Sequence, residues 1–237
     1  MKKNILIIGS SSGIGLYSSK YFIKQGHNVI GVSRKLTKIK SKKFFHISYD
    51  LNNFDKYDEL FKKIHKKFGK INNVLFSAGI QFIMPTTIIS KNDIDRILNI
   101  NLKSPLLFSK FISNKKYFKR PGSVVFISSA IATKPSAGQS IYGSSKSGVN
   151  NLVKTLALEV SKYKINVNSI SPGMIRSPML SKYSKHITKE FFEKVTNEHP
   201  LGLGQFKDVT NAIEFLFSSK SNWITGTNLT IDGGYSL

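Results

Sequence analysis

The sequence predicts an α/β chain with a single doubly wound, parallel seven-stranded sheet covered by helices on both faces. Three observations carry this. Seven short apolar runs recur along the 237 residues, amphipathic patterns separate them, and the first run ends in a glycine-rich turn. Apolar runs of strand length that alternate with helical patterns are the mark of βαβ units, whose strands are buried on both faces. One unbroken alternation, without internal repeat or low-complexity linker, argues for one domain over residues 1–237.

The elements follow in order. The strands are expected at Ile5–Ile8, Val29–Val32, Phe44–Ile47, Val74–Phe76, Val124–Ile127, Ile165–Ile170 and Asn228–Ile231. Between them, Tyr57–Phe68 and Val149–Tyr163 have helical apolar spacing. Arg176–Phe206 is weakly patterned and follows a strand end, where ligands sit in open α/β sheets, so it reads as a helical lid over a substrate.

The first strand runs into Gly9-Ser10-Ser11-Ser12-Gly13-Ile14-Gly15, with a helix from about Leu16. Gly9 permits a tight turn, Gly13 lets backbone approach a pyrophosphate, and Gly15 lets helix and strand pack closely. Backbone N–H groups at the helix start then receive phosphate, and the serines add donors. This is the Rossmann-type arrangement, although the spacing is Gly-xxx-Gly-x-Gly. The second strand ends Val32-Ser33-Arg34-Lys35, and no Asp or Glu occurs between Val29 and Lys43. A carboxylate there would hold the 2′-hydroxyl of NAD, whereas an arginine suits a 2′-phosphate. NADP(H) is therefore the expected cofactor, with NAD(H) the alternative.

Tyr142-Gly143-Ser144-Ser145-Lys146 precedes an apolar-periodic helix. Residues four apart share a helix face, so phenol and ammonium point to one site. An unperturbed phenol titrates near 10, too high for efficient proton transfer at neutral pH. A neighbouring ammonium is expected to lower it. Ser129 precedes Tyr142 by 13 residues at the end of a strand, where its hydroxyl can orient a substrate oxygen. Taken alone, Ser128 and Ser129 also read as a strand-end turn.

Bulk properties bound the alternatives. The absence of cysteine excludes disulfides, thiolate metal sites and a Cys nucleophile. Ile5–Ile8 after Met1-Lys2-Lys3-Asn4 is too short an apolar run for a signal peptide, and nothing approaches the roughly 18 apolar residues of a membrane span. A cytoplasmic protein without a membrane partner is expected. The net charge is +23, yet only four of the 36 cationic side chains are arginines. The lysines are scattered rather than packed into a tract, so the charge reads as compositional and nucleic acid is not the expected partner. His27, His46, His65, His186 and His199 lack metal-ligand spacing and read as ordinary surface or core histidines, so no metal is expected.

With these residues in place, the chain resembles the short-chain dehydrogenase/reductase family from Ile5 to Gly234. Gly9-xxx-Gly13-Ile14-Gly15 is similar to its cofactor turn, Asp50-Leu51 to its adenine-binding pair, and Ser77-Ala78-Gly79 to its Asn-Ala-Gly motif with serine first. Asn101 matches its active-site asparagine, and Ser129, Tyr142 and Lys146 its catalytic residues. Ser171-Pro172-Gly173-Met174-Ile175-Arg176-Ser177 is similar to its Pro-Gly segment, and Ile224-Thr225-Gly226 with Ile231-Asp232-Gly233-Gly234 to its ending.

The resemblance implies an oxidoreductase that moves hydride between nicotinamide and a carbonyl or alcohol carbon, with Tyr142 as general acid or base. It implies that Lys146 also holds the nicotinamide ribose, that Asn101 positions a proton-relay water, and that Pro172, Gly173, Ile175 and Ser177 meet the nicotinamide end. Cofactor contacts are then expected at Gly9, Ser11, Ser12, Gly13, Ile14, Ser33, Arg34, Asp50, Leu51, Ser77, Ala78, Gly79, Tyr142 and Lys146. Within the family the chain looks most like bacterial 3-oxoacyl-acyl-carrier-protein reductases, which implies a small-molecule or carrier-linked carbonyl substrate; sugar and polyol substrates share the pattern. A homotetramer or homodimer is implied, built on the helices after Asn101 and Tyr142. Leu102, Leu106, Leu107, Phe108, Val149, Leu152 and Leu156 serve either that interface or the internal core. The competing reading is a non-enzymatic dinucleotide sensor or nucleic-acid binder on the same fold. Such proteins often lose catalytic residues, which are all present here.

Overall fold

A computed structural model describes residues 2–176 and 189–237, with only the backbone of 189–192. Seven parallel strands form one sheet: β1 (Asn4–Ile8), β2 (Asn28–Ser33), β3 (Phe44–Ser48), β4 (Ile71–Phe76), β5 (Phe118–Ile127), β6 (Ile165–Pro172) and β7 (Asn228–Ile231), in the order β3-β2-β1-β4-β5-β6-β7. Every predicted strand is present. The helices are α1 (Gly13–Lys24), α2 (Tyr57–Phe68), α3 (Lys91–Leu98), α4 (Ser104–Ser113), α5 (Ser140–Val160), α6 (Lys189–Asn197) and α7 (Phe206–Leu216). None of the helices described is long and apolar enough to cross a membrane.

Strand alternation builds two cores, one on each face of the sheet. Leu6 and Ile8 of β1 point to one side, where Phe61 and Ile64 of α2, Phe108 and Phe111 of α4, and Val149 and Val153 of α5 cover them. Ile5 and Ile7 point to the other, against Phe22 of α1 and Val209, Ile213 and Leu216 of α7. Both sides of β1 are therefore sealed, which is why its run is continuously apolar rather than alternating.

The order of strands reverses at β1, since β2 lies on one side and β4 on the other. Connections leave in opposite directions there and open a crevice beyond the strands' carboxyl ends. Three segments converge on it: the turn after β1, the turn after β4, and the start of α5. The remaining piece of the expected lid within the described residues is α6 and a short bridge between Ile175 and Gly204; residues 177–188 lie outside them.

Candidate active site

The turn after β1 is shaped by close approach. A Cβ on Gly9 would lie 2.6 Å from the Ala78 nitrogen, and one on Gly15 would lie 2.2 Å from the Gly9 carbonyl oxygen. The Gly9 N–H donates to the Val32 carbonyl at 2.8 Å, which ties the turn to β2. Helix α1 begins at Gly13, earlier than the expected Leu16, because the Leu16 N–H already closes on the Ser12 carbonyl at 3.0 Å. The glycines thus form its first turn. Ser12 is the N-cap, yet its side chain makes no cap hydrogen bond, and Ser12 and Gly13 are exposed. Among the described residues, a Cβ on Gly13 would meet only the Phe206 ring edge, at 4.0 Å. An exposed helix start with open surface over its glycine and serine hydroxyls alongside is a donor set that fits a pyrophosphate.

Arg34 is exposed at the end of β2, while Ser33 is buried. The Ser33 hydroxyl donates to the Lys35 carbonyl at 3.0 Å and lies 2.9 Å from His46 Nε2. It therefore shapes the turn that presents Arg34 rather than offering a free donor to a ligand. The Asp50 Oδ1 accepts from the Asn52 backbone at 3.0 Å, and the Leu51 carbonyl accepts from the Tyr57 hydroxyl at 3.1 Å. Ser77, Ala78 and Gly79 follow β4, with the Ser77 N–H donating to the Ile8 carbonyl at 2.9 Å.

Asn101 sits in a single π turn, Asn99–Lys103, between α3 and α4. Its amide nitrogen donates to the Ile80 carbonyl at 2.9 Å and to the Ser145 hydroxyl at 3.1 Å, and its Oδ1 accepts from the Ile80 N–H at 2.9 Å. One side chain thereby locks the β4 turn to the first turn of α5. π turns are rare and often occur at functional sites.

Tyr142 and Lys146 occupy successive turns of α5, with the Lys146 Nζ 5.8 Å from the Tyr142 ring centroid. Lys146 is buried and donates to the Ile127 carbonyl at 2.9 Å. A Cβ on Gly79 would stand 3.2 Å from that Nζ and 3.4 Å from Asn101 Oδ1, so these three residues line one spot. Burial lowers Lys146 to about 8. The expected depression of the Tyr142 phenol is not what this arrangement produces. Burial pushes it up, and only the hydrogen bond with Ser129 works downward. The reason is desolvation of the phenol, while the Lys146 ammonium is committed to a backbone carbonyl.

Pro172 closes β6, and the Gly173 N–H donates to the Ile231 carbonyl at 3.1 Å. Ile175 is half-buried and faces Gly204. The structure therefore brings together Asn101, Ser129, Tyr142, Lys146 and Gly79, with the Gly9–Gly15 turn across the crevice. Ser177 lies outside the described residues.

A further group was not legible in the sequence. His199 is buried and contacts the Met174 backbone, while Tyr235 stacks on it and Lys134 lies over the Tyr235 ring. No spacing links residues 134, 174, 199 and 235, because only the fold of the C-terminal tail makes them neighbours.

The family model described as Enoyl-(Acyl carrier protein) reductase, a model of short-chain dehydrogenases, matches residues 8–236. The chain belongs to the short-chain dehydrogenase/reductase family. It is 31% identical over 244 residues to a 3-oxoacyl-acyl-carrier-protein reductase of Buchnera aphidicola subsp. Schizaphis graminum, covering 98% of this chain and 97% of that protein. It is similar to the structure of a 4-hydroxyisoleucine dehydrogenase complexed with NADH, at a TM-score of 0.91 and 28% identity, covering 99% of each chain. It is also similar to ElxO with NADP bound, at 0.87 and 29%, again covering 99% of each. This short-chain dehydrogenase/reductase is thus an oxidoreductase acting on C=O or CH–OH groups with a nicotinamide dinucleotide.

Proposed function

We propose that the enzyme is an NADP(H)-dependent carbonyl reductase with Tyr142 as general acid, and that its substrate is a 3-oxoacyl thioester or a similar ketone. The observation that carries this reading is the half-buried Tyr142, its phenol bonded to Ser129, one helical turn from the buried Lys146 ammonium. The 31% identity to a 3-oxoacyl-acyl-carrier-protein reductase supports the substrate class, as does a cationic chain facing an acidic carrier. Arg34 supports NADP(H), because no acidic residue stands at the end of β2 to hold a 2′-hydroxyl.

The residues divide the work. Gly9, Ser11, Ser12, Gly13 and Ile14 would hold the pyrophosphate, Arg34 the 2′-phosphate, and Asp50 and Leu51 the adenine. Ser77, Ala78 and Gly79 would line the middle of the cofactor, Lys146 its nicotinamide ribose, and Pro172, Gly173, Ile175 and Ser177 its carboxamide end. The bound dinucleotide supplies hydride. Ser129 holds the substrate oxygen and Tyr142 gives that oxygen its proton as negative charge develops. Asn101 would position a water that passes a proton through Lys146 back to Tyr142; in the oxidative direction Tyr142 takes the proton instead. The cysteine-free composition suits a cytoplasmic enzyme.

A panel of keto-thioesters, keto-sugars and diketones with NADPH and NADH, followed by the absorbance of reduced nicotinamide, separates the substrate classes. Tyr142→Phe is expected to lose about 10²–10⁴-fold in turnover while binding NADPH as before. Turnover equal to wild type rejects Tyr142 as the acid. Preference for keto-sugars over keto-thioesters rejects the substrate class alone.

A further inference from the structure

Outside the residues assigned above, a buried histidine bonds to the segment that follows β6. His199 is 4% exposed and follows the C-terminal end of α6. Its Nδ1 lies 2.7 Å from the Val195 carbonyl. A carbonyl only accepts, so Nδ1 carries the hydrogen. Its Nε2 accepts from the Met174 N–H at 3.1 Å. The two bonds together require the neutral Nδ1–H tautomer, since a second ring proton would face the Met174 N–H.

The ring plane is also held. Tyr235 stacks on it at 4.8 Å and 19°. The Lys134 ammonium lies 4.7 Å from the other ring's centroid and donates to the Tyr235 carbonyl. Lys134 belongs to the loop between Ser129 and Tyr142. Asp232 accepts from the Gly234 and Ser236 N–H groups and fixes the tail that carries Tyr235. Among the described residues, the charged or titratable groups around the imidazole are thus Lys134, Asp232, Tyr235 and neighbouring Glu198.

Met174 lies between Gly173 and Ile175. Its carbonyl accepts from the Gly204 N–H at 3.0 Å, and the Arg176 N–H donates to the Gly204 carbonyl at 2.8 Å. Those bonds hold one edge of the segment, and the Met174 N–H is left to His199.

We propose that His199 is a positioning residue: its Nε2 acceptor sets the Met174 peptide and so aims the Pro172–Ile175 segment at the nicotinamide end of the cofactor. The inference rests on the reading that this segment meets the carboxamide end.

The test is binding by the intact protein of NADPH and of 2′,5′-ADP, which has the adenine half alone. His199→Phe keeps an aromatic ring for Tyr235 and has no acceptor; His199→Gln places an amide oxygen near the Nε2 position. The Phe variant is expected to bind NADPH about tenfold more weakly, the size of one lost hydrogen bond at about 1.4 kcal/mol. Its affinity for 2′,5′-ADP is expected to equal that of wild type, and the Gln variant is expected to recover most of the loss. Unchanged NADPH affinity in His199→Phe, or equal weakening of both ligands, overturns the proposal. If His199→Phe and His199→Leu both fail to fold while His199→Gln folds, the role is stability and the proposal is likewise overturned. Gly173→Ala separates the two levels, since its Cβ would press on Asp232 at 2.9 Å and displace the segment directly. If that variant leaves the NADPH to 2′,5′-ADP ratio unchanged, the reading of the segment fails. If it changes the ratio while His199→Phe does not, only the role of His199 fails.

Discussion

Lys146 shows what burial does to a single functional group. Its side chain is enclosed, its ammonium has a backbone carbonyl as partner, and its titration falls from 10.5 to about 8. The folded state thus releases a proton that the unfolded chain keeps between about 8 and 10.5. In that window the unfolded state binds more protons, so stability from this group rises with pH. Below it both states are charged, and the protein bears the whole cost of the buried cation. Denaturation of the cofactor-free protein and of Lys146→Met should therefore show the variant's relative stability shrinking as pH rises from about 7 to about 10. A gap independent of pH would mean that Lys146 titrates like a surface lysine. Tyr142 carries the companion lesson. Spacing on a helix placed the phenol and ammonium in one site, but burial and partners, which set the direction of each titration, are not written in spacing.

At the scale of elements, the turn between β1 and α1 was legible because close backbone approach leaves few residue choices. Gly15→Ala pushes a methyl group into the Gly9 carbonyl, which is backbone and cannot swing aside. Helix and turn must separate, at a cost of about 1–3 kcal/mol from overpacking. A lower urea midpoint together with weaker NADPH binding is expected; a variant with wild-type values for both would show that the turn has slack. Helix α5 was placed from Val149 onward in the sequence, yet it begins at Ser140 and contains Tyr142 and Lys146 in its first two turns. Its polar start lacks apolar periodicity because that end faces the crevice rather than a core. The π turn at Asn101 had no signal either, since a single five-residue turn is too short to set a period of its own.

For the whole molecule, the apolar residues that served either an interface or the core now separate. Phe108, Val149 and Leu156 belong to the internal core, whereas Leu106 is 47% exposed and Leu158, also on α5, is 80% exposed. If the assembly implied by the family resemblance forms on α4 and α5, these leucines are the apolar side chains free to enter it. Sedimentation at micromolar concentration should give a dimer or tetramer of the 26.6 kDa chain, and Leu158→Lys should shift it toward smaller species. A monomer in both proteins would reject the assembly and leave the leucines as solitary surface residues.

Sequence alone was enough to place the strands, the glycine turn after β1, the arginine at the end of β2 and the proposed trio of Ser129, Tyr142 and Lys146. Each is a local rule: apolar runs must be buried, close turns need glycine, and residues four apart share a helix face. Tertiary packing alone set Lys146 on a carbonyl, turned Ser33 inward to Lys35, and stacked Lys134 and Tyr235 behind the His199 that bonds Met174. The Lys146 and His199 contacts join residues 19 or more positions apart, and Ser33 is turned inward beside His46 of the neighbouring strand. Their geometry is set by how the sheet and the C-terminal tail close on each other, and no short window of sequence contains it.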